Sequence, residues 1–147
     1  FESAFGRTYA PVEPYLAEDA EILLVTVGTI TGTARAFVDE ARKDGKKIGL
    51  LKMKMFRPFP EEDVRQALKG SKRVVVLDRN ISFGGEGIFC QELKAALYGM
   101  EPRPEVIDVI AGLGGLDVTP EGLGDLYQKV MRGEIKSGKP YWMGVEG

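Results

Sequence analysis

The hydrophobic positions of this chain fall into short unbroken runs, separated by longer stretches in which apolar residues recur every third or fourth position. Ile22-Leu23-Leu24-Val25-Thr26-Val27 is the first run, and its lack of polar alternation reads as a strand covered on both faces. The loop Gly28 to Thr33 follows, then Ala34, Phe37, Val38 and Ala41 at helical spacing until Gly45 stops the helix. The same order recurs three times. Ile48 to Met53 precedes the breakers Pro58 and Pro60, then a helix opened by Glu61-Glu62-Asp63 and carrying Val64, Ala67 and Leu68, with acids in its first turn as the helix dipole favours. Val74 to Leu77 precedes the loop Ser82 to Gly87 and the stripe Phe89, Leu93, Ala96 and Leu97. Val106 to Ile110 precedes Gly112 to Gly115, an N-cap at Thr119, Pro120 at the first helical position, and the stripe Leu123, Leu126, Tyr127, Val130 and Met131.

Four strand–helix units of this spacing predict right-handed crossovers and a mainly parallel sheet between two helix layers. The expected organisation is an arm over residues 1–19 from a preceding domain, an α/β domain over 20–133, and an irregular tail over 134–147. That tail carries Tyr141, Trp142 and Met143, which either fold back onto their own core or dock on a neighbouring domain.

Composition narrows the chemistry. With 20 Lys+Arg against 22 Asp+Glu and a net charge of −2, the chain has no sequence-independent hold on nucleic acid. It contains no histidine, which excludes an imidazole base, a serine–histidine dyad and a histidine metal ligand. One cysteine, Cys90, excludes an internal disulfide or an iron–sulfur cluster held by this chain and fits a reducing cytoplasm. No apolar run reaches the roughly 20 residues of a membrane span. Position 1 is Phe and the first Met is Met53, so a piece of a longer polypeptide is expected.

Glycine makes up 19 of 147 residues, and much of the excess falls in strand-to-helix loops, where ligands bind in parallel sheets. The loop Gly28-Thr29-Ile30-Thr31-Gly32-Thr33 lacks the GxGxxG spacing of a dinucleotide site and reads as a tight turn capped by Thr31 or Thr33. Gly133 to Lys139 matches GxxxxGK, but Pro140 stands where a hydroxyl should hold magnesium. The richest segment is Asp78-Arg79-Asn80-Ile81-Ser82-Phe83-Gly84-Gly85-Glu86-Gly87. Two readings of it stand. Its acid, guanidinium and glycines could grip a phosphate or carboxylate at a helix N-terminus, or Asp78 and Arg79 could pair internally while the glycines permit a sharp turn. Glu86 reads as a first-turn acid held in its charged form. Cys90 reads as a small buried hydrophobe.

Read together, GTITGTARAFVDEARKDGKKIGLLKMKMFRPFP, VVVLDRNISFGGEGIFCQELKAALYG and VIAGLGGLDVTPEGLGDLYQKVM resemble the C-terminal part of the α subunit of pyruvate:ferredoxin oxidoreductase and related 2-oxoacid:ferredoxin oxidoreductases. The most specific pieces are RPFP at Arg57 to Pro60, SFGGEG at Ser82 to Gly87, and GLGG-x-DVTP at Gly112 to Pro120. The corresponding domain resembles the C-terminal domain of transketolase, which implies a three-layer α/β/α unit with a mainly parallel five-stranded sheet, one strand antiparallel; the residue pattern supplies four. Leu116 departs from a basic residue expected there.

The resemblance implies a parent complex that decarboxylates a 2-oxoacid, pyruvate most commonly, on thiamine diphosphate with magnesium. It passes electrons through iron–sulfur clusters to ferredoxin and delivers the acyl group to coenzyme A. None of these cofactors, no catalytic residue and no metal site is carried over to this chain, which lacks the Gly-Asp-Gly motif and the cysteines for a cluster. What carries over is a structural and assembly role, packing against the N-terminal domain of the same subunit and against other oxidoreductase subunits. Candidate ligand or interface positions are Asp78, Arg79, Ser82, Gly84, Gly85, Glu86 and Gly87 with Gly112, Gly114, Gly115 and Asp117. The rival reading is a free-standing flavodoxin-like module that binds a phosphate-bearing small molecule at the Asp78 to Gly87 loop.

Overall fold

A computed structural model describes residues 9–145. Six strands, β1 (Val12–Tyr15), β2 (Ile22–Val27), β3 (Ile48–Met53), β4 (Arg73–Asp78), β5 (Glu105–Ile110) and β6 (Tyr141–Trp142), form one sheet in the order β1-β3-β2-β4-β5-β6. β1 runs antiparallel to β3, and all other neighbours are parallel. The helices are α1 (Ile30–Lys43), α2 (Glu61–Leu68), α3 (Ile88–Ala96) and α4 (Pro120–Met131). The three-layer α/β/α class and the four central strands agree with the sequence pattern. The sheet gains β1 from the supposed arm and β6 from the supposed irregular tail, making six strands rather than five.

Period-two alternation divides the core. Leu24, Leu50, Val75, Leu77, Ile107 and Val109 meet Phe37 and Val38 of α1 and Leu123, Leu126 and Val130 of α4 on one face. Leu23, Val25, Leu51, Val74 and Val76 meet Val64 and Leu68 of α2 and Cys90 and Leu93 of α3 on the other. β2 steps to β3 through α1; β3 steps back to β4, and β4 on to β5, through α2 and α3 on the opposite face, so these crossovers share one hand. β5 steps outward to β6 through α4 on the α1 face, which gives the opposite hand, whereas the sequence pattern predicts right-handed crossovers throughout. The tail closes this connection by packing on its own core: Tyr141 and Met143 join the α1 face, the Met143 amide donates to Ile110 O at 2.9 Å, and Lys129 Nζ reaches Tyr141 Oη at 2.9 Å.

Two features seat β1, which no apolar run announced. Glu13 pairs with Arg35 and Lys54, and Lys54, with Arg35, holds its carboxyl below the usual carboxylate range. The Arg42 guanidinium donates to Ile48 O and Leu16 O, each at 2.6 Å, and pairs with Asp19. Gly49 of β3 lies directly under this turn, where a Cβ would come 2.9 Å from the Leu16 carbonyl carbon and nearer still to its oxygen. Because the obstacle is backbone, Gly49→Ala is expected to cost about 2 kcal/mol, read as a lower midpoint in chemical denaturation.

Candidate functional site

Alternation along β4 and β5 sends Asp78 and Asp108 toward the α3 face, at the carboxyl ends of the strands; both are buried. There they meet the start of α3, whose first amides have no partner within the helix. Gly87 N donates to Asp108 Oδ2 at 2.9 Å, Ile88 N to Asn80 Oδ1 at 2.8 Å, Phe89 N to Asp78 Oδ1 at 3.3 Å, and Cys90 N to Asp78 Oδ2 at 2.9 Å. Asn80 Nδ2 also donates to Asp78 Oδ1 at 3.1 Å. The chain's own side chains therefore fill the position that a helix N-terminus offers to an external anion.

Burial outweighs these donors. It pushes the Asp78 carboxyl up to about 6, with the amides of Cys90 and Phe89 pulling the other way. Burial also raises Asp108, whose Oδ1 has no partner among the described residues. The Cys90 thiol is raised chiefly by its burial and next by the Asp108 charge, so it is a poor nucleophile. Cys90 is expected to resist a disulfide reagent in the folded chain and to react at once in denaturant, checked by colorimetric thiol titration.

The SFGGEG loop is closed on itself. Ser82 N and Oγ both donate to Glu86 O at 3.0 Å, Gly85 N donates to Ser82 O at 3.1 Å, and Gln91 Nε2 donates to Ser82 Oγ at 2.8 Å. Glu86 precedes α3 rather than standing in its first turn, because the N-cap is Gly87, and it pairs with Lys94. Gly84 sits at φ 68° on the exposed side.

Arg79 points away from Asp78, and the two do not pair. Its guanidinium bridges two loops, with Nη1 3.3 Å from Thr29 Oγ1 and Nη2 3.4 Å from Gly112 O. Thr29, Thr33, Arg79, Leu116 and Asp117 line a cleft of about 190 Å³ between the carboxyl ends of β2 and β4, where the strand order reverses. Gly112, Gly114 and Gly115, at φ 73°, 65° and 83°, turn the chain beside it. The N-cap of α1 is Thr29 and makes no side-chain cap bond; neither Thr31 nor Thr33 caps it, since the Thr31 hydroxyl turns inward to Thr26 Oγ1 at 3.0 Å. Asp108 escaped the sequence reading, although a single acid inside the apolar run EVIDVI is a legible signal.

The fold defines a class first. A split gene transketolase chain is similar at TM-score 0.55 with 19% identity, over 83% of this chain and 39% of that one. The 2-oxoglutarate:ferredoxin oxidoreductase of Magnetococcus marinus is similar at TM-score 0.58 with 23% identity, over 82% of this chain and 20% of that one. Both likenesses concern the fold. The family model for pyruvate:ferredoxin oxidoreductase core domain II matches residues 20–123, and the chain belongs to that family. Similar curated proteins include the pyruvate synthase subunit PorA of Thermotoga maritima, 42% identical over 99% of this chain and 37% of its own length. The ketoisovalerate oxidoreductase subunit VorA of Pyrococcus horikoshii is 41% identical over 95% of this chain and 35% of its own. The chain thus spans little more than a third of the length of these relatives. Among the described residues no helix is long and apolar enough to cross a membrane.

Proposed function

We propose that this chain is the core-domain-II unit of the α-type subunit of a 2-oxoacid:ferredoxin oxidoreductase, and that its role there is structural and assembling rather than catalytic. The parent complex would convert a 2-oxoacid to its acyl-CoA and pass electrons to ferredoxin. Thiamine diphosphate, magnesium, iron–sulfur clusters and coenzyme A would be held by the remainder of that complex. The observation that carries this reading is the α3 N-terminus, whose first amides are occupied by Asp78, Asn80 and Asp108. The residues here do not fit an iron–sulfur cluster, since the one thiol is buried between α3 and the sheet. Neither the cluster nor the diphosphate enters any step through this chain.

Calorimetric titration with coenzyme A and thiamine diphosphate tests the reading, and no binding in the micromolar range is expected. Alanine at Ser82 and Glu86 is expected to loosen the loop and weaken assembly, while the complex that does assemble turns over unchanged. One observation favours the rival module: no carboxylate among the described residues pairs with Arg79, and the cleft in front of it is open to a phosphate. Micromolar binding lost in Arg79→Gln would establish that reading instead.

A further inference from the structure

Apolar exposure among the described residues is heavier at one end of the sheet. Met55, Ile81, Phe83, Leu116, Trp142 and Val145 are exposed at the end of the sheet where the parallel strands finish, whereas Leu16, Tyr98 and Met131 are exposed at the other. Phe83 is the extreme case, with relative exposure of 110%, at the tip of the SFGGEG loop. Four hydrogen bonds around Ser82 and the Glu86–Lys94 pair hold that loop, and Asp108 pins its base at Gly87. A fully solvated phenylalanine contributes nothing to the core, yet the chain fixes the loop that displays it. A pre-ordered loop carrying an aromatic tip has the physical character of an interface anchor, because little freedom remains to be lost on docking.

We infer that Phe83 is the anchor by which this unit docks on the remainder of a PorA-type subunit, inserting into an apolar socket there. The inference rests on the subunit reading above and names its contact. More than half of each relative's length lies outside the matched region, and that polypeptide is available to cover this end. A second copy of the chain is the poorer occupant. A twofold contact must be self-complementary, and the clefts at this end mix Leu116, Val118 and Met143 with Arg79, Asp117 and Lys129, so neither is a purely apolar socket.

The test is made with this chain, tagged, and the remainder of the PorA-type subunit as a separate polypeptide, with their affinity measured by surface plasmon resonance. Phe83→Ser is expected to melt like the wild-type chain when alone and to associate roughly 30-fold more weakly or worse. Phe83→Leu is expected to retain most of the affinity, and Tyr98→Ser all of it. Equal affinity of Phe83→Ser and wild type overturns the inference while leaving the subunit reading intact. So does a dimer of the chain alone that Phe83→Ser abolishes, since the occupant is then a second copy. Failure of the wild-type chain to associate at all overturns the subunit reading, and this inference with it.

Discussion

A single methyl group added at Gly87 is expected to cost about 3 kcal/mol, and to cost somewhat less once Asp78 is alanine. A Cβ at Gly87 would stand 2.5 Å from Asp78 Cβ and Cγ and nearer still to Oδ2. The carboxylate cannot step aside, because the amides of Phe89 and Cys90 and the Asn80 side chain hold it. Asp78→Ala alone strands those donors in a buried site and is expected to cost about 2 kcal/mol at pH 7, each unpaired buried donor being worth about 1–3 kcal/mol and the loss of a desolvated charge offsetting part of it. The double variant should be less destabilised than the two singles together by about 1 kcal/mol, since Asp78→Ala removes the Cγ and Oδ2 that the new methyl would strike, although its Cβ stays 2.5 Å away. Urea denaturation of the four proteins measures the cycle, and strict additivity would show that Gly87 and Asp78 do not constrain each other.

Stability is expected to fall by about 2 kcal/mol as pH rises from 4 to 7, a direction opposite to ordinary acid denaturation. Asp78 ionises near 3.8 in the unfolded chain and at about 6 in the fold. Between those values the native state holds more protons than the unfolded one. The advantage is therefore complete below pH 3.8 and disappears as pH rises through about 6. Asp108, also raised by burial, acts in the same direction. Glu13, Asp19 and Glu21 are lowered by Lys54, Arg42 and Lys72 respectively and act oppositely, losing their contribution as pH falls through the carboxylate range; being solvated, they are screened. Trp142 fluorescence in urea from pH 4.5 to 8 reads the slope. Dilute protein is needed, because the pI of about 5.3 lies inside that window. Asp78→Asn is expected to flatten most of the curve, and a wild-type profile that rises with pH would contradict the assignment.

Legibility in the sequence followed the physics of burial. β2, β3, β4 and β5 were readable because a strand covered on both faces must be apolar throughout, as in ILLVTV and RVVVLD. α4 was readable at its start because Thr119 accepts the Gly122 amide at 3.1 Å and Pro120 needs no donor there. β1, VEPY, and β6, YW, were not. An edge strand has one neighbour and shows half its surface to solvent, so neither needs an apolar run. β1 is seated instead by Glu13, Arg35 and Arg42, which are distant in sequence.

At the candidate site the division is sharper. The sequence alone determined that Asp78, Arg79 and the SFGGEG loop would lie together at a strand-to-helix junction, because strand and helix periods meet there. It also determined that imidazole chemistry is absent. Only the tertiary structure decided what the junction does with its charges. It decided that Asp78 turns into the sheet and Arg79 out of it, because successive residues of a strand face opposite ways. It decided that Asp108, some thirty residues away, completes the cap of α3, because β5 pairs in register with β4 and places Asp108 against Val76. The anion that the α3 N-terminus requires comes from within the chain: EVIDVI marks a buried acid, but only the pairing of β5 with β4 decides what that acid meets.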